Sequence, residues 1–293
     1  MKVDAVIVSY NSRDTLRDCL EPLAATPDVN VIVVDNASTD RSLEVVADLP
    51  VRSIDAGRNG GFAVGCNLGL AAGDAPLVLF LNPDARIRPS DLEHMAAALA
   101  EEPDVALVGP KLLDKEGRVV PSVRRYQRAG SAWAQALFLH RLLPRAAWAN
   151  EIVRDPSFYE RVAHPEWLSG ACMLVRRDAL EQIGGFDEDF FLYCEDMDLC
   201  ARLRAAGHRI RYEPSATVNH DGGQSAPRAS LFAVLARSRT RYARKHAGSV
   251  SALVQRAGLF VHALTHLVAA LGRAEVARGH IGALRATLED TQR

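Results

Sequence analysis

Short apolar runs alternate with segments of helical periodicity through the first 110 residues. Asp4 to Tyr10, Val29 to Asn36, Val51 to Ala56 and Leu77 to Asn82 are apolar runs bounded by Asn, Asp, Gly or Pro, the pattern of buried strands. Arg13 to Ala25, Asp40 to Leu49 and Ser90 to Ala100 read as helices, the second introduced by the candidate caps Ser38, Thr39 and Asp40. A fourth helix runs to about Ala72, and Val105 to Pro110 reads as a further strand. This alternation predicts a mostly parallel sheet covered on both faces, an α/β architecture of the nucleotide-binding type.

Residues 120 to 166 are irregular. Regularity returns with a strand over Trp167 to Arg177, a helix over Asp178 to Ile183, a Gly184-Gly185 turn, an acidic stretch from Phe186 and a strand over Arg209 to Glu213. From Ala229 onward the pattern is helical. Leu253, Ala257, Phe260, Leu264, Leu267 and Leu271 recur at intervals of four and three, and Val254, Val261 and Val268 widen the stripe. Such a helix has one apolar face to bury, against its own chain, a second subunit or a membrane.

Composition narrows the class. The chain has 293 residues, 48% of them apolar and 24% charged, which excludes disordered and low-complexity proteins and allows one large or two modest domains. The net charge of −1 conceals a split: residues 226–293 carry 11 Lys and Arg against 3 Asp and Glu, the rest 24 against 33. A basic tail on an acidic body suits an anionic membrane, a polyanion or self-docking. Five cysteines without a CxxC pair suggest neither a disulfide framework nor structural zinc, so a reducing cytosol is the expected compartment. Met1-Lys2 leads straight into a strand-like run without a signal-peptide pattern, and no uninterrupted apolar run reaches the ~20 residues of a spanning helix.

Ligands of open α/β sheets bind beyond the carboxyl ends of the strands. Those ends read Ser9-Tyr10-Asn11, Asp35-Asn36 and Asn82-Pro83-Asp84. Asp35 is a candidate acceptor for a nucleobase N–H or a turn former. Gly57-Arg58-Asn59-Gly60-Gly61, ahead of a helix, is a phosphate-binding loop or a plain connection. Asp84 is a candidate ligand for Mg²⁺ or Mn²⁺ shared with substrate phosphates, and His220 either a second ligand or an ordinary loop histidine. The densest cluster, Phe186 to Leu199, holds six carboxylates. In a helix starting near Glu195, Asp196 shares the face of Leu199, Cys200 and Leu203, whereas Asp198 meets Arg202 as a solvent-facing pair and Glu195 is intermediate. An inward acid at a pocket edge is a candidate general base.

In order along the chain, VIVSYN, VVDNASTD, RNGGFAVGCN, LNPD, WLSGACMLVRR, GGFDEDFFLYCEDMDLCARL and NHDG resemble family 2 glycosyltransferases of the GT-A fold, and among them bacterial rhamnosyltransferases. The resemblance spans roughly residues 3 to 246. It implies inverting transfer of a sugar from a nucleotide diphosphate to an acceptor hydroxyl. By resemblance Ser9, Asn11 and Asp35 contact the nucleoside, with Arg58 and Asn59 near ribose or phosphates; Tyr10, Gly61, Asn67, Asn82, Trp167 and Gly170 complete the donor-binding set. Asp84 and His220 would hold the divalent metal, with Asn82 standing in place of the first Asp of the family's Asp-x-Asp motif. Asp196, beside Glu195, falls where the family keeps its base.

The implied donor is dTDP-L-rhamnose or a UDP-sugar, and the acceptor a saccharide, free or polyprenyl-linked. No nucleic acid partner is expected. The implied location is the cytoplasm, with peripheral contact at the inner face of the membrane or a homodimer through the C-terminal helices. A catalytic domain over 1–225, nucleotide-binding to about 115 and acceptor-binding after it, would precede basic amphipathic helices over 226–293. Two rival classes fit less well: a nucleotidyltransferase would carry a glycine-rich loop after the first strand, which SYNSRDT lacks, and a non-catalytic binding module has no use for an inward Asp196.

Overall fold

The computed structural model describes residues 2–220, 228–270 and 272–289. Asp221 and Gly222 of the NHDG motif, Leu271 of the apolar stripe and the expected boundary at 225/226 lie outside the described residues. In chain order the elements are β1 (Val3–Ser9), α1 (Arg13–Ala24), β2 (Val29–Asp35), β3 (Arg52–Asp55), α2 (Phe62–Ala71), β4 (Leu77–Leu81), β5 (Ala85–Ile87), α3 (Pro89–Glu101), β6 (Val105–Leu113), β7 (Val119–Val120) and β8 (Val123–Arg124). There follow α4 (Ala129–Ala136), α5 (Leu139–Leu142), β9 (Trp167–Leu168), β10 (Cys172–Arg176), α6 (Arg177–Gln182), α7 (Glu195–Ala205), β11 (Arg209–His220), α8 (Phe232–His246), α9 (Ser249–Ala269) and α10 (Ala274–Leu288). They form two compact units, one of residues 1–124, 155–189 and 195–223, the other of residues 125–154, 190–194 and 224–293.

The first unit is a nine-stranded sheet of order β3-β2-β1-β4-β10-β6-β11-β5, with β7 paired to β6. β1 runs parallel to β2 and β4, and β2 to β3. β10 is antiparallel to both β4 and β6, and β11 is parallel to β6. It follows that β1, β2, β4, β6 and β11 all point one way. The carboxyl ends of β1, β2, β4 and β11 and the amino end of β10 therefore share one edge. Every residue of β1 is buried, which is why it reads as an unbroken apolar run. α2 lies close on β1 because its inner face is glycine: a Cβ at Gly65 would come 2.6 Å from Val8 Cγ1, and Gly69 faces Val6 in the same way.

Four sequence expectations are corrected. Asp40 to Leu49 forms only a 3₁₀ turn, Ser42–Val46, entered by Arg41 with φ 61°, because Asp40 divides its carboxylate between Ser42 N–H (3.0 Å) and Arg13 N–H (2.9 Å) instead of capping a long helix. Trp167 to Arg177 is two strands in different sheets, β9 paired with β8 and β10 in the main sheet, broken at Ser169–Ala171. The last strand continues past Glu213 to His220, a register shift between Glu213 and Thr217 accommodating Pro214. Within 120–166, Ala129–Ala136 is helical.

The second unit packs α4, α8, α9 and α10, with α9 against both α4 and α10. Its interior is built from small and polar side chains. Gly258 lets α9 approach α4 so closely that a Cβ there would lie 3.2 Å from Ala132 Cβ. Gln127 Nε2 donates to Gln255 Oε1 at 2.9 Å, Arg239 Nε donates to Gln127 Oε1 at 2.6 Å, and Arg239 pairs with Glu151. α9 buries Ala252, Gln255, Gly258, Leu259 and Ala263. The apolar stripe through Leu253 and Leu264 points outward.

Candidate active site

The shared carboxyl edge of the sheet gathers most of the predicted residues. Ser9 ends β1 and pairs with Asp35, the last residue of β2. Asn82 follows β4, and its N–H donates to Ala171 O at 3.0 Å, just ahead of β10. His220 ends β11 opposite Ala85, next to Asp84. His220 is therefore a strand residue rather than the loop histidine that the apolar pattern suggested.

Asp84 and His220 meet directly. His220 Nε2 lies 3.2 Å from Asp84 Oδ1 and 3.5 Å from Asn82 Nδ2, while His220 Nδ1, also buried, has no hydrogen-bond partner among the described residues. Burial acts to raise the Asp84 pKa, but the hydrogen bond and charge of His220 outweigh it and hold the carboxyl below its ordinary range. One carboxylate oxygen and one imidazole nitrogen suit a divalent cation whose other positions are filled by phosphate oxygens and water. Among the described residues no three His, Cys, Asp or Glu side chains gather as a closed metal cage. The pair offers two protein donors rather than a closed cage.

The break between β9 and β10 positions the second acid. Gly170 N–H, released from strand pairing there, donates to Asp196 Oδ2 at 2.9 Å, and Met197 N–H donates to Asp196 Oδ1 at 2.8 Å. A side chain at Gly170 would press on Asp196, its Cβ 3.3 Å from Asp196 Cβ. Burial raises the Asp196 pKa, opposed by those two N–H groups and by the charge of Arg124. Glu195, fully enclosed, is pushed well above the ordinary range by burial and then by the negative charge of Asp196. Its Oε2 has no hydrogen-bond partner among the described residues. Tyr193 and Cys194, which lead into α7, both hold left-handed backbone, φ 67° and 68°, a costly conformation for side chains of that size.

The face reading of α7 needs adjustment. Leu199, Cys200 and Leu203 are buried as expected, but Asp196 is half-buried at the rim. Asp198 is not solvent-facing: it is fully buried and receives Arg202 Nε at 2.7 Å, while Arg202 also donates to Ile183 O and Gly185 O. Helical spacing identified the pair correctly. It could not show that the Ile183–Gly185 turn supplies carbonyls to Arg202.

The remaining predicted residues divide. Asp35 accepts from Ser38 N–H (2.9 Å) and Ser38 Oγ (2.6 Å), and Asn11 Oδ1 accepts from Thr39 N–H at 2.8 Å, so both shape the loop after β2 at the same edge. Tyr10 is exposed beside them, and Ser9 Oγ, fully buried, has no hydrogen-bond partner among the described residues. Arg58 and Asn59 are exposed ahead of α2; Asn59 Oδ1 accepts from Gly61 N–H, and Gly61 takes φ 91°. Asn67 stands apart: its amide oxygen accepts from Phe186 N–H and its nitrogen donates to Phe186 O and Glu188 Oε1, so it braces the 186–188 turn. Trp167 carries the Arg124 guanidinium 5.8 Å from its ring centroid. Arg124 was missed. Its β8 pairing to Trp167 brings a cation to Asp196 from a stretch without periodicity.

The sequence profile of glycosyl transferase family 2 matches residues 4–184. The chain belongs to this family. The matched span carries β1 through α6, and α7 and β11 follow it. This family 2 glycosyltransferase is 34% identical over 265 residues to the N-acetylglucosaminyl-diphospho-decaprenol L-rhamnosyltransferase of Mycobacterium tuberculosis, covering 83% of this chain and 84% of the relative. It is 27% identical over 220 residues to rhamnosyltransferase WbbL of Escherichia coli, covering 72% and 80%. Its fold is similar to that of a mannosyltransferase from Pyrobaculum calidifontis solved with GDP-Man and Mn²⁺, with a TM-score of 0.59 at 17% identity over 99% of this chain and 88% of the other. It is also similar to residues 1–349 of S. aureus TarS, with a TM-score of 0.55 at 18% identity over 98% and 91%. The GT-A fold expected from the motifs is the fold observed.

Proposed function

We propose that this family 2 glycosyltransferase moves L-rhamnose from dTDP-L-rhamnose, with inversion, to a hydroxyl of a lipid-linked saccharide in the synthesis of a cell-wall or surface polysaccharide. The observation that carries the reading is one short path of contacts. Asp196 holds Gly170, the next residue Ala171 holds Asn82, and Asn82 adjoins the Asp84–His220 pair. An acid suited to proton transfer and a cation-binding pair suited to a diphosphate thus stand on one strand edge. The rhamnosyltransferase relatives support the sugar, and the decaprenol-linked substrate named for one of them supports the acceptor class.

The chemistry follows from the two acids being unequal. Burial and the Asp196 charge favour the protonated form of the deeper Glu195, whereas two N–H groups and the Arg124 charge favour Asp196 as the carboxylate. An acceptor hydroxyl is a poor nucleophile until Asp196 withdraws its proton during attack on the anomeric carbon. Asp84 and His220 would hold a divalent cation, which when bound neutralises charge developing on the departing diphosphate. The strand-end residues Ser9, Asn11 and Asp35 receive the nucleoside, and Arg58 and Asn59 its ribose or phosphates. Within the catalytic domain, the part up to about residue 115 mainly serves the donor and the part from about 116 to 225 the acceptor. The reaction takes place in the cytoplasm at the inner face of the membrane.

The test is a donor panel with the full chain. Thermal shift and product release are measured with dTDP-L-rhamnose, UDP-sugars and GDP-mannose, each with Mg²⁺ or Mn²⁺, since a ligand that binds the folded state raises apparent stability. Selective stabilisation and dTDP release by the rhamnose donor are expected. Preference for a UDP-sugar would replace the donor, and pyrophosphate release would replace the reaction class.

A further inference from the structure

α9 is amphipathic in an unusual sense: its greasy face is the one left outside. Val250, Val254, Ala257, Val261, Leu264 and Val268 follow one another at intervals of three and four along the helix, and Leu253 lies beside Val254. Val250 is 78% exposed, Leu253 66% and Val268 60%. Over the 18 residue steps from Val250 to Val268 an α-helix rises about 27 Å, so the stripe is long as well as apolar. Patches of this extent mark an interaction surface. At 21 residues and a mean hydropathy of 1.2, α9 is long and apolar enough by length and composition to cross a bilayer. Its inner face argues against that course, because Gln255 is bonded to Gln127, Trp133 Nε1 donates to Val254 O and Thr265 Oγ1 donates to Ala136 O. The helix is fixed along the unit with one side free.

The neighbouring segment has the same character. Phe138 stacks on His266 of α9 with ring centroids 4.4 Å apart, and from there the chain exposes Leu137, Leu142, Leu143 and Trp148 together with Arg141 and Arg145. No Asp or Glu occurs from 130 to 150 or from 222 to 274. The second span includes Arg244 and Lys245, exposed at the end of α8 directly before α9. Exposed leucines and valines, a tryptophan and arginines without any acid are the composition of a helix that lies in the interface of an anionic bilayer, where the apolar face enters the acyl boundary and cations meet phosphate headgroups. A second copy of the chain would bring the same acid-free rim against this one, cation facing cation. Lipid phosphates complement it.

We propose that the outward face of α9, with the 137–148 segment beside it, seats the protein on an anionic membrane surface. This deepens the lipid-linked reading, since its biological purpose rests on an acceptor held in a bilayer, but the contact is measured without any transfer. The full chain is floated with phosphatidylglycerol-containing vesicles and with pure phosphatidylcholine vesicles at low and high salt. At least about tenfold stronger association with the anionic vesicles, weakened by salt, is expected. Leu253→Gln combined with Leu264→Gln should abolish flotation, and Arg141→Gln with Arg145→Gln should reduce it mainly at low salt. Both variants should keep the thermal shift given by the nucleotide sugar, because they alter exposed positions of the helical unit, whereas the residues assigned to the nucleotide sugar belong to the sheet unit. No flotation of the unaltered chain at either salt overturns the proposal. So does a dimer in light scattering that the leucine variant converts to monomer with vesicle binding unchanged, which would make the face a subunit interface. Failure of the donor panel with flotation intact would overturn the sugar assignment and leave the membrane surface standing.

Discussion

The two units differ in where their buried polar groups find partners. In the helical unit the polar cluster of Gln127, Gln255, Arg239, Glu151 and Ser131 is bonded internally, so that network is closed by the fold itself, although His262 Nδ1 is buried there without a hydrogen-bond partner among the described residues. In the sheet unit Ser9 Oγ, Asn36 Oδ1, Glu195 Oε2 and His220 Nδ1 lie buried without a hydrogen-bond partner among the described residues, and Ser9, Asn36 and His220 stand at the carboxyl ends of strands. Burial of an acid is not the cause. Asp4, fully buried at the opposite end of β1, receives Arg177 Nη2 at 2.7 Å, Ala75 N–H at 2.8 Å and Asn30 Nδ2 at 3.0 Å. Open polar groups cost stability unless something else satisfies them. Ser9, Asn36 and His220 therefore mark polar groups that the fold itself leaves open along the carboxyl edge.

That contrast breaks most visibly at Asp196. Asp196→Asn should keep nucleotide-sugar binding and melting temperature while lowering transfer by at least ~100-fold, the usual scale of a general base. Turnover near that of the unaltered enzyme would remove Asp196 from the reaction. The next effect is on the cation. Asp84→Ala takes away one of two protein donors, and metal-dependent strengthening of nucleotide binding in calorimetry should fall by about tenfold or more, as with loss of groups that govern a metal site. An unchanged metal titration would place the cation elsewhere.

The helical unit supplies the converse. Glu151→Gln leaves the Arg239 charge, mostly buried, without its counter-ion, and denaturant unfolding should show a loss of roughly 2–3 kcal/mol. Donor binding, which belongs to residues of the other unit, should change little once the variant is folded. If instead Glu151→Gln abolished donor binding at full stability, the proposed division of roles between the two units would be wrong.

Much of the sheet unit was legible because its signals are local. Strands buried on both faces announce themselves as apolar runs, and the polar residues just after them fall at the carboxyl edge once the strands are parallel. Three kinds of information were not local. The interruption of Trp167 to Arg177 depends on Gly170 giving its N–H to a residue 26 positions later, although the glycine itself was a hint. Arg124 reaches Asp196 through β8, a two-residue strand in an aperiodic stretch. On α9 the periodicity located the apolar stripe and could not say which face finds a partner. The inner face of Ala252, Gln255, Gly258, Leu259 and Ala263 is mostly small and makes close contacts at Gly258, and the stripe through Leu253 and Leu264 is left outward. For Asn67 the motif was read as donor-binding, whereas its hydrogen bonds to Phe186 and Glu188 depend on a turn far along the chain.

The smallest effect concerns Glu195 and tests why two adjacent acids differ. Its folded pKa is raised by burial and by the charge of Asp196. Below the unfolded-state pKa of about 4.3 both states are protonated and the group has no influence on stability. As pH rises beyond that, the unfolded chain ionises while the folded one keeps its proton, so stability declines until the raised folded pKa is passed. Glu195→Gln mimics the protonated acid and removes this penalty. The variant should therefore melt close to the unaltered protein under acidic conditions and above it at neutral pH, by on the order of 2–4 °C for each kcal/mol recovered. Transfer should be nearly preserved, because the carboxylate assigned to proton removal is Asp196. A melting difference that stays flat with pH, or a loss of turnover as deep as that of Asp196→Asn, would mean that the two acids share the proton and that neither alone is the base.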